Sequence, residues 1–395
     1  MKIAFVMTQS LDSPSGLGRY WPLAKELVKK GDEVEIFALH YSWSTLNKRS
    51  FVDSGVAVKY VSQMHVMKEG PKKTYFSPTR FIFISLLATL RLARAVAGSK
   101  AQIIQICKPQ PYNVIAARIG RRGRFLYCDC DDFEAETNYF RHEWQRRVVR
   151  YFEDGIIRWS SGLTANTRFT QERYEELGFP KDKILFIPNG VDRQRFSEST
   201  DGTAVRKKWS IPASSPVVSY IGTLGLQSHP VDLLLEAVQL LINRWPSLRL
   251  LIVGGGEDYD QLQAMARHLG IDGATIFTGR VPPSEIPDYL AASALTVDPV
   301  KDDLVARARS PLKLLESLAV GIPVVTSDVG DRALLTSNGQ LGRMVIPGNS
   351  KALADGIAEL LDNQSLSGQI SKQAKSFIEE FYWDKLVNKF SRIYE

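Results

Sequence analysis

The chain has 395 residues, more than one hydrophobic core of ordinary size supports, which predicts two domains of roughly 200 residues or fewer. Hydrophobic residues at 44% and charged ones at 24% exclude a disordered or fibrous chain, and three cysteines (Cys107, Cys128, Cys130) are too few for a disulfide scaffold and fit a reducing, cytoplasmic compartment. The net charge of +7 is unevenly placed: seven lysines and arginines between Lys68 and Lys100 stand against one acid, Glu69, and further arginines cluster at 118–124 and at 141–150.

In chain order, short Val- and Ile-rich runs alternate with helical patterns. The first, Lys2–Met7, is too short for the apolar core of a signal peptide and reads as a buried strand. Strands follow at Glu33–Ala38, Ala57–Val61, Gln102–Ile106, Phe125–Cys128 and Gly162–Ala165, with helices at Leu23–Lys29 and Phe81–Ala97. The latter is the most apolar helix, but Arg91 and Arg94 interrupt it, and a membrane span needs about 20 apolar residues. A turn at Ile187-Pro188-Asn189-Gly190-Val191-Asp192, followed by the polar stretch Ser197–Thr203, marks a domain boundary. A second series of strands runs Val217–Ile221, Arg249–Val253, Thr275–Thr278, Leu295–Asp298, Pro323–Ser327 and Met344–Ile346. Helices lie between them at Val231–Asn243, Tyr259–Leu269, Ser284–Ala292, Leu312–Ala319 and Lys351–Leu361. Continuous rather than alternating apolar strands imply parallel sheets covered on both faces, hence two successive doubly wound α/β domains. The aromatic-rich end, Ser371–Glu395, predicts amphipathic helices that need a surface to cover.

In open parallel sheets ligands bind beyond the carboxyl ends of the strands, which directs attention to four runs. Gly16 and Gly18, in Ser13-Pro14-Ser15-Gly16-Leu17-Gly18-Arg19, allow backbone amides to approach an anion; a plain loop is the alternative, since the third glycine of a dinucleotide fingerprint is missing. Arg307-Ala308-Arg309-Ser310-Pro311-Leu312-Lys313 precedes an apolar helix. Ser310 as N-cap and Pro311 as first helical residue would leave the Leu312 and Lys313 amides free, with Arg307, Arg309 and Lys313 adding charge. That is a metal-free way to hold a diphosphate, and Glu316, on the same helical face as Lys313, could grip a ribose; the alternative is a solvated basic loop. Five carboxylates in eight residues, from Asp129 to Glu136, could bind sugar hydroxyls, take a proton, hold a hard metal or pair with nearby arginines. The turns Gly254-Gly255-Gly256 and Gly279-Arg280-Val281 could meet a flat base edge-on. Cys128-x-Cys130 lacks the further ligands of a zinc site.

These runs together resemble the glycosyltransferases of the GT-B fold, specifically the large retaining family 4, over essentially the whole chain. The resemblance rests on Gly16-Leu17-Gly18, Ile187-Pro188-Asn189-Gly190-Val191-Asp192, Tyr220-Ile221-Gly222, Leu251–Gly256 and Phe277–Val281. Its strongest part is Lys313-Leu314-Leu315-Glu316-Ser317-Leu318-Ala319-Val320-Gly321-Ile322-Pro323-Val324-Val325. It implies two Rossmann-like domains facing across a cleft: residues 1–190 on the acceptor side, joined by a returning C-terminal helix at about 375–395, and residues 191–374 holding a nucleotide-sugar donor. Gly222, Thr223, Gly279 and Arg280 then join Gly16, Gly18, Arg307, Leu312 and Glu316 as donor-binding residues. Glu316 matches the second glutamate of the family's E-x7-E pattern, which binds the donor ribose. The first glutamate is replaced by Ala308, with Asp302 and Asp303 as the nearest carboxylates, and the family's two basic diphosphate contacts are replaced by Thr223 and, approximately, His229-Pro230.

The expected activity is retaining, metal-independent transfer of a sugar to a saccharide or lipid-linked acceptor, without cofactor. Arg309 and Lys313 would meet the leaving group's charge, and Asp131 or Asp132 would orient a sugar. The rivals are a nucleotide-sugar epimerase and a catalytically degenerate binding subunit of a polysaccharide assembly complex. Acceptor pockets would come from the loops Tyr41–Asn47, Met64–Tyr75 and Glu134–Trp144. No nucleic-acid motif is evident. The basic first half implies attraction to an anionic membrane surface on the cytoplasmic side, with Phe81–Leu92 either an interfacial helix or a core helix of the first domain.

Overall fold

A computed structural model describes residues 1–69, 72–138, 140, 142–196 and 200–395. Gly70, Pro71, Tyr139 and Arg141, which belong to the expected acceptor loops and arginine clusters, and residues 197–199 of the polar stretch lie outside the described residues.

The first ten strands are β1 (Lys2–Met7), β2 (Glu33–His40), β3 (Ser50–Asp53), β4 (Val56–Gln63), β5 (Val66–Glu69), β6 (Lys72–Tyr75), β7 (Ile103–Cys107), β8 (Phe125–Cys130), β9 (Gly162–Ala165) and β10 (Ile184–Phe186). All but the β5–β6 hairpin form one sheet in the order β10-β9-β8-β7-β1-β2-β4-β3, parallel except for edge strand β3. The reversal of strand order at β1–β7 is the switch point at which such sheets open a crevice. The second sheet, β13-β12-β11-β14-β15-β16, is wholly parallel. Its strands are β11 (Val217–Ile221), β12 (Arg249–Val253), β13 (Thr275–Gly279), β14 (Leu295–Asp298), β15 (Val324–Ser327) and β16 (Gly342–Val345).

Every residue of β7, β9, β14 and β15 is buried, as the continuous apolar runs require of strands covered on both faces. One face of the first sheet packs against the helices Pro78–Gly98 and Pro111–Gly120 through Ala88, Leu92, Val96, Val114 and Ala117. The other face receives the helix Trp21–Lys29 and the C-terminal helix Trp383–Phe390. There Trp383, Leu386, Val387, Phe390 and Tyr394 share a core with Phe5, Leu23 and Leu27. The preceding residues Ile378, Phe381 and Tyr382 belong instead to the core of the second sheet. The chain therefore crosses back between Tyr382 and Trp383, beside a bridge from Tyr382 to Val191. The helix Pro78–Gly98 is longer and more uniformly apolar than Arg91 and Arg94 suggest: it has the length and composition to cross a membrane, yet one side of it is packed into the first domain.

Candidate active site

Between the two sheets lies a cavity of about 670 Å³, lined from both sides at the carboxyl ends of the strands. Its second-domain wall is built on the helix Leu312–Val320. The N-cap position is Pro311, which has no side-chain donor or acceptor, and no side chain among the described residues caps this end. The Leu312 and Lys313 amides are thus orphan donors of the first turn, and both residues line the cavity. The expectation for Ser310 is corrected: its hydroxyl accepts from the Asn189 amide at 3.1 Å and its carbonyl oxygen from the Asn189 side chain at 2.7 Å, so it fastens the interdomain linker instead of capping the helix.

Lys313 lines the cavity, and its Nζ is buried 4.2 Å from the Tyr220 ring centroid and 3.2 Å from an Asp298 carboxylate oxygen. Burial opposes ionisation of Asp298, but Lys313 and Arg332 override it and draw that carboxyl down to about 2. Arg309 donates to the Ser228 carbonyl oxygen at 2.6 Å and lies 3.2 Å from His229 Nδ1. Burial, reinforced by Arg309 and Lys313, holds His229 well below its ordinary range, so the imidazole is neutral and supplies no second cation there. Arg307 departs from expectation. It is exposed, pairs with Asp302 at 2.7 and 2.9 Å and does not line the cavity. Asp303 caps the short helix Leu304–Arg307 through the Ala306 amide at 2.8 Å. Neither aspartate therefore occupies the place of the missing glutamate. That place, Ala308, is buried against Phe133 and Ala135 of the first domain.

Glu316 lines the same wall. Burial pushes its carboxyl up to about 7, against the pull of Arg195 and Lys313. Gly222, Thr223 and Arg280 also line the cavity, whereas Gly279 sits behind it in a turn that accepts from the Gly254 amide at 3.0 Å. Gly254 has a φ of +140°, and a Cβ there would lie 1.9 Å from the Gly222 carbonyl oxygen, so two strand-end loops stack backbone to backbone.

On the first-domain wall, Gly18 sits directly across from Leu312: a Cβ on it would come within 2.3 Å of the leucine's Cδ2. Gly16 packs instead against the backbone of Ser10 and Leu11, and residues Gly16–Tyr20 form one wide helical turn, which corrects the picture of both glycines cradling an anion. That turn delivers Arg19, fully buried, to Asp129, with Nε and Nη2 contacts of 2.6 and 2.7 Å. Asp129 also accepts from Thr164, at 2.5 Å, so it is committed to structure and the metal reading of Asp129-x-Asp131 loses a ligand. Arg19 further donates to Asn189 at 3.1 Å, completing a chain from Asp129 through Arg19 and Asn189 to Ser310 and the start of the Leu312 helix.

Asp131 and Asp132 both line the cavity. Of the described arginines near this run in sequence, Arg150 pairs with Glu136, but none of them pairs with Asp131 or Asp132. Lys108 does: buried, with a φ of +74°, it pairs with Asp132, lies 3.4 Å from Asp131 and 3.2 Å from Glu134. Burial raises the Asp131 carboxyl to about 6, with Lys108 pulling down and Asp132 pushing up. Glu153 accepts the amides of Glu134 and Ala135 at 2.8 and 3.1 Å, fixing this acidic loop from behind. Sequence reasoning missed Lys108 and Arg195, and had Asn189 only as part of the junction turn. Lys108 directly follows β7, and applying the strand-end rule to that strand as well would have found it.

Residues 16–195 match the family described as Glycosyltransferase Family 4, and residues 201–377 match Glycosyl transferases group 1. The chain is 27% identical over 259 residues to the D-inositol 3-phosphate glycosyltransferase of Acidothermus cellulolyticus, covering 63% of this chain and 56% of that protein. It is 29% identical over 202 residues to the GDP-mannose-dependent alpha-(1-6)-phosphatidylinositol monomannoside mannosyltransferase of Mycolicibacterium smegmatis, covering 50% and 52%. The matched region thus spans little more than half the length of these relatives. Among solved structures, sucrose-phosphate synthase from Thermosynechococcus elongatus superposes with a TM-score of 0.79 at 16% identity, covering 100% of this chain and 98% of that one. Anabaena Alr3699/HepE in complex with UDP-glucose superposes with a TM-score of 0.75 at 18% identity, covering 99% and 98%. These likenesses establish the GT-B fold.

Proposed function

The chain belongs to the family 4 glycosyltransferases, whose two halves it carries in order, and from that premise we propose that it transfers a sugar from a nucleotide-diphosphate donor to a saccharide or lipid-linked acceptor. The observation that carries this reading is the uncapped start of the helix Leu312–Val320, with Lys313, Arg309 and Glu316 facing the interdomain cavity.

In this reading the diphosphate sits on the Leu312 and Lys313 amides, where the helix dipole and orphan donors favour an anion. The bond from the anomeric carbon to the phosphate oxygen breaks and a bond to the acceptor oxygen forms on the same face. The acceptor's proton passes to the departing phosphate oxygen. Charge growing on that oxygen is met by Lys313 and Arg309, already in place and without a metal, so little reorganisation is needed as the bond breaks. Glu316, ionised, accepts from the ribose hydroxyls. Gly222, Thr223 and Arg280 line the donor side; Gly18 admits Leu312 closely enough to shut the cleft. Asp131 and Asp132, held by Lys108, orient the sugars.

The buried Ala308 places no carboxylate beside the transferred sugar, so contacts to that sugar fall to the first-domain acids. Activity is proposed for the cytoplasmic side of a membrane, since the positive charge of the first domain attracts anionic lipid.

A panel of nucleoside diphosphates and their sugars, screened by calorimetry and then by product formation, tests the reading. Binding of one diphosphate with transfer of its sugar is expected. Donor turnover in the absence of any acceptor would favour the epimerase, and binding without transfer to any acceptor would favour the degenerate subunit.

A further inference from the structure

The two walls of the cleft carry opposite charge. From the second domain and the linker into it, Arg195, Arg280, Arg309 and Lys313 line the cavity against one carboxylate, Glu316. From the first domain the charged lining residues are Asp12, Asp131 and Asp132 against one cation among the described residues, Arg19. Arg19 has no donor left for a ligand. Its five N–H groups are matched by five bonds: two to Asp129, one to Asn189 and two to the Ile187 and Pro188 carbonyl oxygens. Lys108 is equally committed, its one ammonium facing Asp131, Asp132 and Glu134. An Asp131 carboxyl raised to about 6 is still mostly ionised at neutral pH, so three carboxylates against one lysine leave this wall negative.

The same wall offers oxygen acceptors in place of N–H donors. Asn166 is buried, lines the cavity, and donates through Nδ2 to the Asp131 carbonyl oxygen at 3.0 Å and to its carboxylate at 3.1 Å. Those two bonds fix the orientation of the amide, since the reverse would set its oxygen against two other oxygens. Asn166 Oδ1 is then left with no hydrogen-bond partner among the described residues, and an unmet buried acceptor is costly. Thr137, also on the cavity, has a buried hydroxyl that likewise has no partner among the described residues. At neutral pH a phosphate or carboxylate oxygen accepts only and is negatively charged, so it is opposed by the two aspartates and leaves Asn166 Oδ1 unmet. A sugar hydroxyl donates, and neighbouring hydroxyls on one ring can serve a carboxylate and an amide oxygen together.

We propose that the acceptor offers this wall an uncharged, polyhydroxylated sugar ring, held through its hydroxyl protons on Asp131, Asp132 and Asn166 Oδ1, and that a phosphate or carboxylate on that ring excludes it. This acceptor class rests on the glycosyltransferase reading above, which seats the donor diphosphate on the opposite wall. A lipid-linked acceptor fits only with its phosphate outside the cleft.

The test compares matched pairs: the p-nitrophenyl glycosides of glucose, galactose and mannose with their 6-phosphates, and myo-inositol with its 1-phosphate. The full chain is read by ligand-observed NMR titration in the presence of UDP and of GDP, and by initial rates of transfer from UDP- and GDP-sugars. An uncharged member is expected to bind and to react, with its phosphorylated partner about tenfold or more weaker in Kd and in kcat/KM. Asp132→Asn removes one charge and keeps the shape of a partly exposed side chain. It should slow the uncharged acceptor, while the gap within the pair narrows severalfold because KM for the phosphorylated member falls. A purely structural role for Asp132 would lower both members by one factor, and circular dichroism with the melting temperature checks the fold. An uncharged sugar that binds with the expected preference but never receives a sugar counts against the glycosyltransferase reading and leaves the selectivity of the wall standing. A phosphorylated member that binds or reacts as well as its partner, a gap in Asp132→Asn equal to that of the wild type, or binding by no member of any pair overturns the proposal. If Asp132→Asn does not fold, the wild-type comparison decides alone.

Discussion

Replacing Glu316 with Gln should stabilise the free protein at alkaline pH while weakening nucleotide binding. Burial against the cavity wall raises this carboxyl from 4.5 to about 7, with Arg195 and Lys313 only partly compensating. Between those values the folded state holds a proton that the unfolded state has released. Stability from this group is therefore full below about pH 4.5, falls as pH rises to about 7, and stays reduced above it. The full difference corresponds to roughly 3 kcal/mol, and access to cavity water reduces it to about 1–2 kcal/mol. Gln cannot ionise and escapes that loss. At pH 8 the variant should melt several degrees higher than wild type, at about 2–4 °C per kcal/mol for a domain of this size, with the gap closing towards pH 5. Differential scanning calorimetry across pH 5–8 makes the comparison. Nucleoside diphosphate affinity of the wild type should rise as pH increases through about 7, because the ionised carboxylate is the better acceptor for ribose hydroxyls. The variant's affinity should be lower and flat. A variant less stable than wild type at pH 8, or pH-independent binding by wild type, would refute this reasoning.

Other consequences are separately measurable. Lys313→Met should lower kcat by about 10²–10³ by removing a preorganised cation, and should also lower the melting temperature, because the buried Asp298 carboxylate then keeps only Arg332, at 2.9 Å, against its burial. Arg309→Ala should raise the donor KM as well as lower kcat, read by initial rates over a donor series. Ala308→Glu, which restores the family residue, should not rescue activity. It forces a carboxylate between Phe133 and Ala135 and should destabilise by ~3 kcal/mol in denaturant titration. Since the Asp131 carboxyl is raised to about 6, kcat/KM should fall as pH drops through about 6 and the acid takes up its proton; Asp131→Asn should lose that inflection.

The parallel sheets were legible because buried parallel strands leave uninterrupted apolar runs, as Ile3–Met7 and Leu250–Val253 do. Edge strands β3 and β10 were not: β3 is four largely exposed residues with little apolar pattern, and β10 is an apolar run of only three. The start of the Leu312 helix could be located from a proline before a periodic apolar run. Its cap could not, because Ser310 is drawn away by Asn189, 121 residues distant in sequence. The same limit separates Arg307 from Arg309. Both looked equivalent, yet a short helix ending between them turns Arg307 to Asp302 and Arg309 to the cavity. Lys108 went unnoticed because its partners Asp131, Asp132 and Glu134 lie beyond another helix and strand, and its left-handed backbone is set by the fold.

The most direct test is a crystal structure of the protein with a bound nucleoside diphosphate. The account predicts phosphate oxygens hydrogen-bonded to the Leu312 and Lys313 amides, Lys313 Nζ within salt-bridge distance, and the ribose on Glu316. A nucleotide seated elsewhere, with those amides facing only water, would contradict it.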